Sequence, residues 1–194
     1  MIFNYRIRFL FIFTIIFISY SSNANANLKK NLIEKINNTK TISFDFEQKI
    51  SEKKETGQCT IKYQKLIKCD YNDKYHKRLI SNGKTLAVIQ RRYKKIFYYP
   101  LSSTPLEYIL DKYFLINKIE SNVINSFNKS LAYISYEENG FRIDIFFDKE
   151  KLTLRGWNTV DPYNNEVQFK INNPILNQKV ADNFFKIPKA DDLK

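Results

Sequence analysis

One histidine, four glycines, one tryptophan and two cysteines among 194 residues leave little with which to build catalytic or metal chemistry. His76 stands alone, which excludes a histidine pair for zinc, and its neighbours Lys74 and Lys77 suit an inert surface position. Four glycines are too few for a phosphate-cradling loop. The G-x-S-x-G elbow and the S-x-x-K motif are both missing. Carboxylate pairs such as Asp148 with Glu150 and Asp191 with Asp192 read as turn and tail residues, and only a cleft would make them glycosidase acids. The expectation is a protein that is not an enzyme, with no catalytic residue, no metal and no cofactor.

Acidic residues are also in short supply, 20 against 32 Lys and Arg, for a net charge of +12. That surplus suits an anionic lipid surface or an acidic partner. A lysine-rich composition spread over a solvated surface also accounts for it. No nucleic-acid-binding motif is present, so nucleic acid is not expected as a target. The densest basic cluster, Arg91-Arg92-Tyr93-Lys94-Lys95, falls between two apolar runs and reads as a hairpin tip.

Long apolar runs are absent except at the start. Arg6 and Arg8 precede the ten-residue run Phe9–Ile18, and Ala24-Asn25-Ala26 follows as a small-x-small cleavage motif. This is the pattern of a secretory signal peptide, residues 1–26, too short for a transmembrane span of roughly 20 residues. Asn27 would follow the cut in place of the lipid-accepting cysteine of a bacterial lipoprotein. Residues 27–194 are then one exported domain of 168 residues.

In an oxidising compartment Cys59 and Cys69 are expected to pair. Cys59-Thr-Ile61-Lys-Tyr63 and Ile67-Lys-Cys69-Asp-Tyr71 alternate with the same parity about Gln64. An antiparallel hairpin centred there sets Ile61 opposite Ile67 and Cys59 opposite Cys69, within disulfide reach. The spacing is not the C-x-x-C of a redox dithiol, so the bridge reads as a structural staple.

Helical spacing of Leu28, Leu32, Ile33 and Ile36 predicts an opening helix that ends near Asn37-Asn38. Period-two alternation follows through Ile42, Phe44, Phe46 and Ile50, with Gln48 on the apolar side. Asn82-Gly83 marks a hairpin in which both residues accept positive φ. Thr104 as cap and Pro105 in the first turn predict one further helix, lined by Leu106, Ile109, Leu110 and Tyr113. Alternation returns in Phe141, Ile143, Ile145 and Phe147, and Gly156-Trp157 suggests a bulge. The sum is an antiparallel sheet of ten to eleven strands, only partly roofed by two helices, with an apolar hollow suited to a greasy guest.

Taken in order, Ile42-Ser-Phe44-Asp-Phe46-Glu-Gln48, Gly57, Ser81-Asn-Gly83-Lys-Thr-Leu86 and Pro100-Leu-Ser-Ser-Thr-Pro105-Leu106 resemble a known family. So do Leu152-Thr-Leu154-Arg-Gly-Trp157 with Asp161, and Ala181-Asp-Asn-Phe184-Phe185-Lys-Ile-Pro188. The resemblance is to the periplasmic outer-membrane lipoprotein carrier (LolA) family and spans nearly all of residues 27–194.

It implies an incomplete, half-open antiparallel β-barrel with short helices over its concave apolar face. It also implies a periplasmic carrier, expected as a monomer, that shields lipoprotein acyl chains between two partners. These are an inner-membrane ATP-driven lipoprotein release complex and an outer-membrane acceptor. A regulatory or sensory envelope module of the same fold is the alternative, and a hydrolase of an envelope polymer a third.

By position, Phe44, Phe46, Ile61, Ile67, Phe141, Ile143, Ile145 and Phe147 are the candidates for the lipid-binding sheet lining. Leu106, Ile109 and Leu110 are the candidates for the lid. Ordinary core packing would use the same residues. One departure concerns the first hairpin, where the family commonly carries Lys-Arg-Pro with the arginine latching the lid. Lys62-Tyr63-Gln64 stands there instead, so either the Tyr63 phenol bonds a lid carbonyl or the lid is held more loosely. Cys59 and Cys69 occupy positions that the family usually fills with large apolar residues.

Overall fold

The computed structural model describes residues 26–160 and 165–193. Residues 1–25 of the leader expected over 1–26, and Asp161 of the Trp157 motif, lie outside the described residues. No described helix is long and apolar enough to cross a membrane.

Eleven strands form one sheet in the order β6-β5-β4-β3-β2-β1-β11-β10-β9-β8-β7. They are β1 (Thr41–Ile50), β2 (Lys53–Lys62), β3 (Leu66–Tyr71), β4 (Lys77–Asn82), β5 (Thr85–Gln90), β6 (Lys95–Pro100), β7 (Asn125–Ser126), β8 (Leu131–Glu138), β9 (Phe141–Asp148), β10 (Leu154–Val160) and β11 (Glu166–Leu176). All neighbours pair antiparallel. Each half of the chain is a meander, and β11 returns to pair with β1. β6 and β7 remain as edges, so the barrel is incomplete, as the alternation and the family resemblance imply.

Pairing carries one apolar face across the whole sheet. Ile42, Ile61 and Ile67 stand in register, as do Phe44, Cys59 and Cys69, and on the other side of β11 Phe169, Trp157, Ile145 and Ile134. These join the main apolar cluster on the inner face. The Cys59–Cys69 bridge forms, with Cα atoms 4.1 Å apart, at the cross-strand position that the hairpin parity predicts.

Three helices roof this face: α1 (residues 26–37), α2 (Leu106–Ile109) and α3 (Lys112–Ser121). Leu32 and Ile36 of α1, Ile109 of α2, and Leu115 and Ile119 of α3 are all buried in the same cluster. α1 and α3 are tied at both ends. The Lys29 ammonium donates to the carbonyls of Glu120 and Asn122, and the Lys112 ammonium to that of Asn37. Each cation therefore meets the negative end of the other helix.

The single helix expected from Leu106 to Tyr113 is corrected to α2 and α3, broken at Leu110–Asp111. The Asp111 carboxylate accepts from the amides of Tyr113 and Phe114 and starts a new helix axis, which turns Tyr113 outward to 72% exposure. Thr104 does not cap; its hydroxyl donates to the Leu101 carbonyl.

The Asn82-Gly83 turn forms with positive φ at Gly83 alone. Asn82 stays extended, and its side-chain oxygen accepts from the amides of Lys84 and Thr85. Gly156 sits at a register shift between β9 and β10 with φ of +141°, where a Cβ would stand 2.0 Å from the Phe169 carbonyl oxygen. A side chain there would force β10 away from β11.

A smaller cluster of Ile80, Ala87 and Ile89 lies on the outer face beneath Ile96, Ile187 and Leu193. The 3-10 turns Asp182–Phe185 and Ala190–Leu193 cover it from the C-terminal segment.

Candidate functional site

Between the inner face of the sheet and the chain that runs from Ser103 to Leu106 lies an apolar cavity of about 200 Å³. Its floor comes from both halves of the sheet. Ile67, Cys69 and Leu79 contribute from one side, Trp157 and Phe169 from the other, and Phe141 closes an end.

Aromatic stacking holds that floor rigid. Trp157 lies parallel to Phe169 with centroids 4.2 Å apart, Phe169 stacks on Phe46 at 5.0 Å, and Phe46 meets Tyr71 edge-on at 4.8 Å. Gln48, an oddity on the apolar parity of β1, accepts the Tyr71 hydroxyl at 2.9 Å. The bond satisfies a phenol that burial pushes above its ordinary pKa. The lining is thus mostly apolar, with the Tyr71 hydroxyl paired and the buried Thr159 hydroxyl without a hydrogen-bond partner among the described residues, which suits an alkyl chain better than a polar substrate.

Of the residues expected in the lining, Ile67 and Phe141 reach the cavity and Leu106 reaches it from the lid. Phe44, Phe46, Ile61, Ile143, Ile145 and Phe147 share the same face but are packed in the main cluster, as are Ile109 and Leu110 beneath the helices. Trp157, which the sequence offers only beside a bulge and in a family motif, and Phe169 are not among the residues expected in the lining. What could have found them is register, because Phe169 stands opposite Gln48 on β1 and Trp157 on β10.

The lid is fastened at the turn between β2 and β3, though not by the expected group. Among the described residues the Tyr63 phenol makes no bond to a lid carbonyl. Its half-buried ring packs against the main cluster, 5.4 Å from the Lys112 ammonium, and that burial pushes the phenol pKa up. Lys65 takes the role. Its amide donates to the Leu110 carbonyl at 3.1 Å, and its ammonium pairs with Glu107 and, at 3.2 Å, with Asp111. Glu107 and then Asp111 hold the ammonium pKa above its usual value, despite partial burial.

The sign is that of a raised base. The stabilisation is complete below the unfolded lysine value of about 10.4 and is lost as pH climbs through the raised one. With side chains about a quarter exposed, the pairs are worth about 1 kcal/mol. Lys65→Met is expected to raise the open-lid population about fivefold, read as faster amide hydrogen exchange in α2 at neutral pH.

Among the described residues no group of three or more His, Cys, Asp or Glu is placed to hold a metal ion. His76 is exposed on the turn before β4.

The sequence model for the outer membrane lipoprotein carrier protein LolA matches residues 37–188. Curated protein sequences return no match. Among solved structures, an uncharacterized conserved protein from Thermus thermophilus superposes with a TM-score of 0.51 at 8% identity, covering 84% of this chain and 94% of that one. A LolA superfamily protein from Nitrosomonas europaea gives 0.42 at 7% identity, covering 81% and 97%. A putative outer membrane lipoprotein-sorting protein domain from Vibrio parahaemolyticus gives 0.44 at 9%, covering 82% and 94%. With eleven strands left open around a roofed apolar hollow, and a family match over most of its length, the chain belongs to the LolA family of outer membrane lipoprotein carrier proteins.

Proposed function

We propose that this protein is a periplasmic carrier that shelters the acyl chains of lipoproteins on their way from the inner to the outer membrane. The observation that supports the reading most directly is the apolar cavity beneath the Ser103–Leu106 segment, floored by stacked aromatics and free of ionised groups. An acyl chain of roughly 15 methylenes costs about 12 kcal/mol to expose to water, at about 0.8 kcal/mol for each. A soluble escort must therefore supply a matching apolar surface.

The cavity is smaller than the roughly 300–1,000 Å³ of a drug-sized ligand site. Loading consequently requires α2 and the Ser103–Leu106 segment to lift, against the Lys65 pairs. Energy for extracting a lipid from the inner membrane comes, on this reading, from an ATP-driven release complex, and an outer-membrane acceptor takes the cargo. Export through the leader of residues 1–26 places the carrier between them.

The reading is tested in two ways. Protein isolated from the periplasm of its own cells is expected to carry triacylated lipoproteins detectable by mass spectrometry. Purified protein is expected to bind a fluorescent fatty acid, and Leu106→Trp to weaken that binding about fiftyfold, the loss of room for about three methylenes at 0.8 kcal/mol each. A wild-type protein with neither cargo nor affinity for the fatty acid would end the proposal.

A further inference from the structure

The apolar floor does not stop at the cavity. Cross-strand register carries it outward from Cys69 through Leu79 of β4 and Val88 of β5 to Phe97 of β6; the neighbouring row runs from Ile67 through the buried Ser81 and Leu86 to Tyr99. Leu79 and Val88 are half-buried, while Phe97 and Tyr99 are 42% and 45% exposed. The row becomes progressively wetter until it ends at the open edge of the sheet. Tyr98, on the opposite face of the same strand, is 55% exposed. β6 thus shows aromatic side chains on both faces of an unpaired edge, where edge strands ordinarily carry charge or cover.

The charge lies beside it, in the turn that leads into β6 and on the first residue of that strand. Arg91, Arg92, Lys94 and Lys95 are all exposed. None forms an ion pair with a described carboxylate, whereas Lys53, Lys62, Lys65, Lys77, Arg78 and Lys118 all do. The turn is held firmly in place. The Arg92 amide donates to the Tyr75 carbonyl at 3.2 Å, and the Tyr75 and Tyr93 rings lie 5.5 Å apart.

We propose that β6 and its basic turn form a docking rim for an anionic phospholipid bilayer, which sets the open end of the apolar row against the membrane surface. The inference rests on the acyl-carrier reading and deepens it, by naming the surface through which a chain enters. Unpaired cations beside tyrosines suit the headgroup layer, where aromatic rings with one polar end settle and each Lys or Arg gains from the negative surface potential. Continuity with the cavity supplies the reason for placing the rim here. A second copy fits less well, because edge pairing would bring together two strongly basic chains.

The test is flotation of the purified protein with phosphatidylethanolamine–phosphatidylglycerol vesicles and with phosphatidylcholine vesicles. Binding is expected to the first alone and to weaken as salt is raised. Arg91→Gln with Arg92→Gln is expected to lower it about 25-fold, about fivefold per residue. The same variant is expected to keep its affinity for a fluorescent fatty acid in vesicle-free solution, since neither arginine lines the cavity. Tyr98→Ser is expected to lower vesicle binding without altering the cavity face.

Absence of wild-type binding to the anionic vesicles overturns the rim. So does binding that both variants leave unchanged, or a concentration-dependent dimer that Tyr98→Ser abolishes. The carrier reading fails separately: a protein that floats through the rim yet takes up no fatty acid sinks that reading and leaves the rim standing. One that takes up fatty acid but does not float does the reverse.

Discussion

Phe169→Ala is expected to destabilise the protein by about 3–5 kcal/mol and to abolish fatty-acid binding. The magnitude is that of a large aromatic removed from a packed core, where neighbours relax only partly into the space left behind. The position makes it severe. Phe169 is 5% exposed and lies at the centre of the sheet on β11, the strand that joins the two meanders. Its ring contacts Trp157 at 4.2 Å, Phe46 at 5.0 Å and Phe44 edge-on at 6.2 Å, so one truncation removes three aromatic pairs. Such pairs contribute about 0.5–1.5 kcal/mol each beyond burial.

For a chain of this length the loss corresponds to a fall in melting temperature of about 6–20 °C. Trp157, the only tryptophan, reports the change directly, because its indole loses its stacking partner. The expected result is a red-shifted emission together with a lower denaturant midpoint. An unchanged midpoint would mean that the aromatic floor is not what joins the two halves.

Why that floor was hard to see in the sequence follows from what alternation can report. Parity along a strand tells which side chains share a face, and it sets Ile42, Phe44 and Phe46 on one side of β1 and Ile61 opposite Ile67 in the hairpin that follows, while the pairing of β1 with β2 joins the two sets. It also put Gln48 on the apolar side, where the structure pairs it with Tyr71. Parity does not tell where the lid stops. Phe44 and Phe141 share one inner face, yet the first is buried in the main cluster and the second lines the cavity, a difference set by the position of the Ser103–Leu106 segment.

Helix α3 escaped for a related reason. Phe114-Leu115-Ile116 is a continuous apolar run with neither helical nor strand periodicity, and the informative residue was Asp111, an N-cap hidden inside what read as one longer helix. Lys65 escaped because a lone lysine in a turn has no signature. Its function comes from Glu107 and Asp111, some forty residues away along the chain, which only the folded lid brings to it.

Loss of the Cys59–Cys69 bridge, by reduction or by Cys59→Ala with Cys69→Ala, is expected to destabilise the protein by about 3 kcal/mol. The bridge closes a short loop, with a sequence separation of 10, and the chain-entropy model gives roughly this value for loops near that length. Stability is only half of the consequence. The two sulfurs sit in the row that runs from Phe44 across Cys59, Cys69, Leu79 and Val88 to Phe97, and they are 3% and 2% exposed. Cys69 also lines the cavity. The staple therefore binds together the β2–β3 hairpin that both floors the hollow and, through Lys65 at its tip, fastens the lid.

Reduction is accordingly expected to loosen lid and floor together. Hydrogen exchange should quicken in α2 as well as in β2 and β3, and fatty-acid affinity should fall in step with stability. The double alanine variant separates the causes, since it removes the cross-link without leaving free thiols. If that variant loses about 3 kcal/mol while α2 exchanges as in the wild type, the hairpin tip and the lid are mechanically independent. The Lys65 pairs would then fasten the lid without help from the bridge below them.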